Sequence, residues 1–229
     1  MRGSLRVLVS ASAAALVGLG ALTGCSGGDA PAAESGTTSS SGSTTGEATA
    51  SASATAVGLP AGSTWATAPR SGLRFAVPDT WTPVSAETLA GSADSDSVKA
   101  LLESMQVTKE ELLASMAGMD VLVMGPAEKN FGPNVNAVPN SLTELPPSNS
   151  FAAELTKLGA TTGTPREVST ALGPAIVVPY TLPNGDTTIV GRSIVVGGPN
   201  GFVTITVSHV DNKAADAVAD TLLSTLGAT

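Results

Sequence analysis

Cysteine, histidine and aromatic side chains are scarce in this 229-residue chain, and each shortage removes a class of function. The one cysteine, Cys25, cannot form an internal disulfide, so the folded part depends on its own apolar core. The one histidine, His209, together with that lone thiol supplies too few ligands for a zinc site. Two Trp, one Tyr and four Phe leave no platform on which sugars or bases could stack. Basic residues number 11 against 19 acidic ones, a formal net charge of −8. That balance argues against a nucleic-acid partner and against direct adhesion to anionic lipid. No apolar run reaches the roughly 20 residues of a transmembrane helix.

What is present begins at the N-terminus. Arg2 and Arg6 form a positive lead, and no acidic residue occurs before Asp29. From Val7 to Leu22 the chain is Val, Ala, Leu and Gly interrupted by Ser10 and Ser12, the length of the apolar core of a secretory signal. Leu22-Thr23-Gly24-Cys25 follows, small residues ending in the single thiol. This tetrapeptide resembles the lipobox of bacterial lipoproteins. The resemblance implies residues 1–24 as a signal peptide, cleavage before Cys25 and a diacylglyceryl thioether on its sulfur. At about 0.8 kcal/mol per buried CH₂, two acyl chains anchor a protein stably. Arg2 and Arg6 are not adjacent, so the signal is of the general secretory type rather than twin-arginine.

Residues 25–62 are then expected to be a lipidated tether. From 26 to about 60 the chain is mostly Ser, Thr, Gly and Ala with a little Pro, and only Asp29, Glu34 and Glu47 are charged. Such a composition cannot bury enough apolar area to offset its ordering entropy, and it predicts disorder. As a flexible coil it would span roughly 30–35 Å r.m.s.. Its hydroxyls would accept glycosylation. Loss of Arg2 and Arg6 from the 11 basic residues leaves nine against 19 acidic, making the mature chain more acidic still.

Residues 63–229 read as one domain. Leu73-Arg74-Phe75-Ala76-Val77 alternates, ending at Pro78. Val98, Leu101, Leu102 and Met105 define a helix face. Thr108 with Glu111 is a capping-box pair that opens another helix carrying Leu112, Leu113 and Met116. Met119 to Met124 reads as a buried strand, Asn134 to Val138 as a weaker one. Phe151, Leu155 and Leu158 mark a short helix stopped by Gly159. Ile176, Val178, Tyr180 and Leu182 alternate up to Asn184-Gly185, which predicts a pair of φ > 0 residues in a hairpin turn. A strand over Thr187–Val196, a turn at Asn200-Gly201 and the alternation of Val203, Ile205 and Val207 with Thr204, Thr206 and Ser208 complete a meander. Asp211 caps a last helix whose apolar stripe is Ala215, Val218, Ala219, Leu222, Leu223 and Leu226. The class is α+β, an antiparallel sheet covered by helices.

Phe75-x-Val77-Pro78-x-x-Trp81, the stretch Ala171-Leu172-Gly173-Pro174-Ala175 leading into the meander, and the closing helix resemble the PsbP-like fold. Within it they are most similar to actinobacterial LpqN/LpqT-type lipoproteins. The resemblance covers most of residues 70–229 and implies an α/β/α sandwich around a central antiparallel sheet. It transfers no catalytic residue. The helical stretch from about 92 to 118 departs from that pattern.

No catalytic, cofactor or metal site is expected. Ser208, His209 and Asp211 could name a triad, but no G-x-S-x-G elbow exists and neighbours on a strand face opposite ways. His209 reads instead as a surface residue near a helix start. Asp94-x-Asp96 lacks the spaced oxygens of a calcium loop. Gly197 to Gly201 joins two strands and is a turn. Met105, Met116, Met119 and Met124 cluster, and thioethers can bind Cu(I), yet two of them fall on leucine stripes that core packing explains. The same cluster could form an adaptable groove. The expected function is therefore a non-enzymatic cell-envelope module, held at the membrane outside the cytoplasm through Cys25, that binds a protein partner. The alternative is a carrier for an apolar ligand such as a lipid.

Overall fold

The computed structural model describes residues 58–85, 102, 108–129 and 131–229. Cys25 and the stretch before residue 58, Asp94-x-Asp96, Met105 and most of the expected helical insert lie outside those residues. The described chain runs β1 (Ser63–Ala68), β2 (Leu73–Pro78), β3 (Thr82–Pro83), α1 (Lys109–Met116), β4 (Val121–Met124) and β5 (Asn134–Pro139). It continues through α2 (Ser148–Lys157), β6 (Thr161–Thr162), β7 (Arg166–Thr170), β8 (Gly173–Asn184), β9 (Thr187–Gly198) and β10 (Gly201–His209). It closes with α3 (Asn212–Thr225) and β11 (Gly227–Ala228).

An eight-stranded antiparallel sheet, ordered β3-β4-β5-β10-β9-β8-β6 with β7 also on β8, forms the middle layer. Its centre is the meander β8-β9-β10. Asn184 pairs with Thr187, so Gly185 and Asp186 make the first turn. Only Gly185 has positive φ there, at 58°. The expected pair of left-handed residues is thus one, because Asn184 still belongs to its strand. In the second turn Gly198 pairs with Gly201, which places Pro199 and Asn200 in the loop.

Strand alternation splits the core in two. Ala175, Val177, Ile194, Val196, Val203, Ile205 and Val207 face one way, where Val218, Ala219, Leu222 and Leu226 cover them. At about 1.5–3 kcal/mol for each fully buried aliphatic side chain, this is the main stabilising contact of the fold. Asp211 accepts a hydrogen bond from Ala214 N at 2.8 Å and starts α3 as expected. Arg192, buried among these apolar groups, donates from Nε to Asp216 (2.7 Å) and from Nη2 to Asn212 (2.9 Å), fixing the helix along the sheet.

The same layer holds something the sequence did not separate. β1, β2 and β11 form their own three-stranded sheet, which shares the core with α3 through Leu73, Phe75 and Val77. The Phe75-x-Val77-Pro78 strand therefore lies outside the central sheet. Its hairpin is clamped at the turn: the buried Asp120 carboxylate accepts from Arg70 N (2.9 Å) and Ser71 N (2.7 Å), and Asn200 Nδ2 donates to Arg70 O (3.0 Å).

On the opposite face of the large sheet lie α2 and α1. Phe151, Ala152 and Leu155 of α2 pack on Ile176, Val178 and Val195. Leu112 of α1 packs on Leu122 and Met124, with Met116, Met119 and Leu102 around them. Three of the four clustered methionines thus serve as core. The capping box is present, Glu111 N donating to Thr108 Oγ1 and Thr108 N to Glu111 Oε2. The architecture is the expected α+β sandwich around an antiparallel sheet, with one outer layer shared between a helix and a small sheet.

Candidate binding cleft

The sheet face beneath α1 and α2 is apolar at its sides and polar along its middle. Three rungs cross it: Ile176–Val195–Thr204–Val138, Val178–Ser193–Thr206–Asn136–Leu122 and Tyr180–Gly191–Ser208–Asn134–Met124. Thr204, Thr206, Ser208, Ser193 and Asn136 are all buried.

Each buried polar group on this strip needs a partner. Tyr180 Oη and Ser208 Oγ lie 2.8 Å apart. The phenol reaches that position by lying across Gly191, where a Cβ would come within 2.4 Å of the ring. Burial drives the Tyr180 pKa up to about 12, against smaller lowering effects from Ser208 and Arg192. Thr204 Oγ1 accepts from Asn140 Nδ2 at 3.2 Å, while Asn140 Oδ1 accepts from Leu142 N at 3.1 Å. That second bond is an Asx turn, and it launches the loop from 140 to 147 away from the sheet. Ser193 Oγ, fully buried, has no hydrogen-bond partner in the structure.

Beside Thr204 and Val195 the loop and α2 leave a cleft. Leu142, Pro146 and Phe151 make its apolar walls; Asn140, Ser150 and Glu154 stand at its polar edge. Its volume is about 90 Å³, well below the roughly 300–1,000 Å³ of small-molecule pockets. One branched apolar side chain would fill it. Glu154 is paired with Lys157 at 2.5 Å, an exposed contact that contributes little stability but orients the rim.

The cleft and the strand β1, where the preceding chain enters, lie on different faces of the large sheet. Ser63 pairs with Pro78 at one end of the small sheet; Ala68 pairs with Leu73 at the other, beside Asn200. Val195 and Thr204 sit three residues from the turn that holds Asn200, ~10 Å along their strands. Entry point and cleft are thus on opposite faces of the large sheet.

The Ser208-His209-Asp211 set does not assemble. His209 is buried rather than on the surface, on the α3 face, while Ser208 points to the other face and to Tyr180. His209 Nδ1 accepts from the backbone N–H of Val210 and Asp211, both at 3.0 Å. An imidazole accepting at Nδ1 carries its proton on Nε2, so it cannot be oriented by a carboxylate at Nδ1 in the manner of a triad. Asp211 is occupied as a helix cap. His209 ties β10 to α3. Among the described residues no group of three His, Cys, Asp or Glu side chains could hold a metal ion, and no helix is long and apolar enough to cross a membrane.

No family model matches the chain, and no curated protein matches it significantly. Among solved structures it is similar to the cyanobacterial PsbP protein of Synechocystis, at 15 % identity and a TM-score of 0.48, over 76 % of this chain and 95 % of that one. A protein of unknown function from Pseudomonas aeruginosa is similar at 10 % identity and a TM-score of 0.32, over 39 % of this chain and 67 % of that one. These values describe a loosely shared arrangement of sheet and helices and extend neither to family nor to activity.

Proposed function

We propose that this chain is a cell-envelope lipoprotein of the actinobacterial LpqN/LpqT type, anchored through an acylated Cys25, whose α+β head binds a protein partner without catalysing a reaction. The observation that supports binding is the cleft: apolar walls, a polar edge and room for one side chain of a partner. Its position supports presentation, because a head tethered before Ser63 carries the cleft on the face away from its tether. The lipobox, the Ser/Thr-rich segment after it and the acidic head support the anchored arrangement.

Carriage of a lipid is the weaker reading, since an acyl chain needs far more room than about 90 Å³. Two substitutions test the proposal separately. Cys25→Ala is expected to abolish labelling by a fatty-acid analogue and to release the protein from the membrane fraction; persistent labelling would refute the anchor. Ser150→Trp fills the cleft from an exposed position of α2. It is expected to weaken partner binding at least tenfold at unchanged Tm, and unchanged binding would refute the cleft as the contact site.

A further inference from the structure

Among the described residues β1 is the outer edge of the small sheet, paired on one side only in the order β1-β2-β11. Asp79 N donates to Gly62 O at 3.0 Å, which makes that a hydrogen-bonded pair. Antiparallel alternation then turns the backbone groups of Thr64, Ala66 and Ala68 toward β2. Two facts on β2 agree with this register. Ala76 N points away from β1 and donates to Thr225 Oγ1 at 2.9 Å, and Pro78, which has no N–H, stands opposite Ser63. The N–H and C=O groups of Ser63, Trp65 and Thr67 therefore point outward from the edge.

Proteins guard such edges with charge, proline or a bulge. β1 reads Ser-Thr-Trp-Ala-Thr-Ala and pairs with β2 in unbroken register, so it has none of the three. We propose that this edge joins the β1 edge of a second copy of the chain, making one continuous six-stranded sheet across a two-fold axis at Trp65.

The strand is self-complementary about that residue. In antiparallel pairing Trp65 faces its counterpart, and Ser63 of each copy faces Thr67 of the other. All three outward residues then exchange both backbone bonds, with the hydroxyl pairs flanking the indoles on one face. Aromatic pairs and Ser/Thr hydroxyl pairs are among the favourable cross-strand neighbours, and no like charges meet along the strand. The Arg74 guanidinium, 4.9 Å from the Trp65 ring centroid, holds that indole over its own sheet. A two-fold contact buries the same patch on both copies and leaves no edge of β1 open. It involves the face opposite the cleft, so it goes beyond the binding function proposed above and leaves the cleft free.

Sedimentation velocity and amide hydrogen exchange on the purified full chain test this. The expected result is a concentration-dependent dimer in which the amides of Ser63, Trp65 and Thr67 become protected as dimer forms. Thr67→Pro removes an outward N–H that the fold does not use, and Ser63→Lys sets a charge at the seam; each is expected to give a monomer with unchanged far-UV circular dichroism and an unchanged cooperative unfolding transition. A monomer at every concentration, a dimer indifferent to both substitutions, or occupation of β1 by a strand of a different protein would overturn the proposal.

Discussion

A methyl group on Gly191 would sit 2.3 Å from the Val207 carbonyl oxygen and 2.4 Å from the Tyr180 ring. The first neighbour is backbone of the central strand and cannot step aside. Gly191→Ala is therefore expected to destabilise the fold by about 3 kcal/mol, the upper part of the usual range for overpacking, as measured by urea unfolding. Tyr180 itself gives a pH signature. Its phenol is held up to about 12 in the folded state, mainly by burial, while in the unfolded chain it titrates near its ordinary value of 10.0. Between those values the unfolded state has lost a proton that the folded state keeps. Stability is fully present below the unfolded value, falls as pH rises through the window, and levels off above the folded value. The loss attributable to Tyr180 is on the order of 2–3 kcal/mol. As the chain has one tyrosine, tyrosinate absorbance follows this group alone. Tyr180→Phe is expected to remove that part of the alkaline loss; an unchanged profile would contradict the assignment.

At the scale of the element, α3 was the most legible. Its cap and stripe share one period, and the structure buries Ala215, Val218, Ala219, Leu222 and Leu226. Asp211→Ala is expected to cost about 1 kcal/mol through the lost cap, and Asp211→Asn much less, with denaturant midpoints as the readout. The meander was legible for the same reason: apolar residues at period two, broken by glycine turns. β1 was not legible, because the inward side chains of Ala66 and Ala68 are too small to stand out from Ser and Thr neighbours. The burial of Thr204, Thr206 and Ser208 on β10 was not legible for a related reason, since nothing local says what covers a polar strand face. The cleft was likewise invisible, since it depends on Asn140, Phe151 and Thr204 meeting from separate parts of the chain. His209 was misplaced because the sequence shows its neighbours but not the layer above it.

The whole molecule is a sandwich whose two outer faces are unlike. One holds α3 and the small sheet, near the point where the preceding chain enters; the other holds α1, α2 and the cleft. If the chain is anchored and binds as proposed, this arrangement separates attachment from recognition. The chain's formal net charge of −8 accords with the proposed arrangement, since it disfavours adhesion to anionic lipid. Site-specific photocrosslinking in intact cells tests the central claim most directly, with a photoreactive residue at Ser150 on the cleft and, as control, at Asp186 in the β8–β9 turn. The account predicts a single discrete protein adduct from position 150, absent from position 186 and suppressed when the cleft is altered by Thr204→Leu. Equal adducts from both positions, or only lipid adducts from position 150, would contradict it.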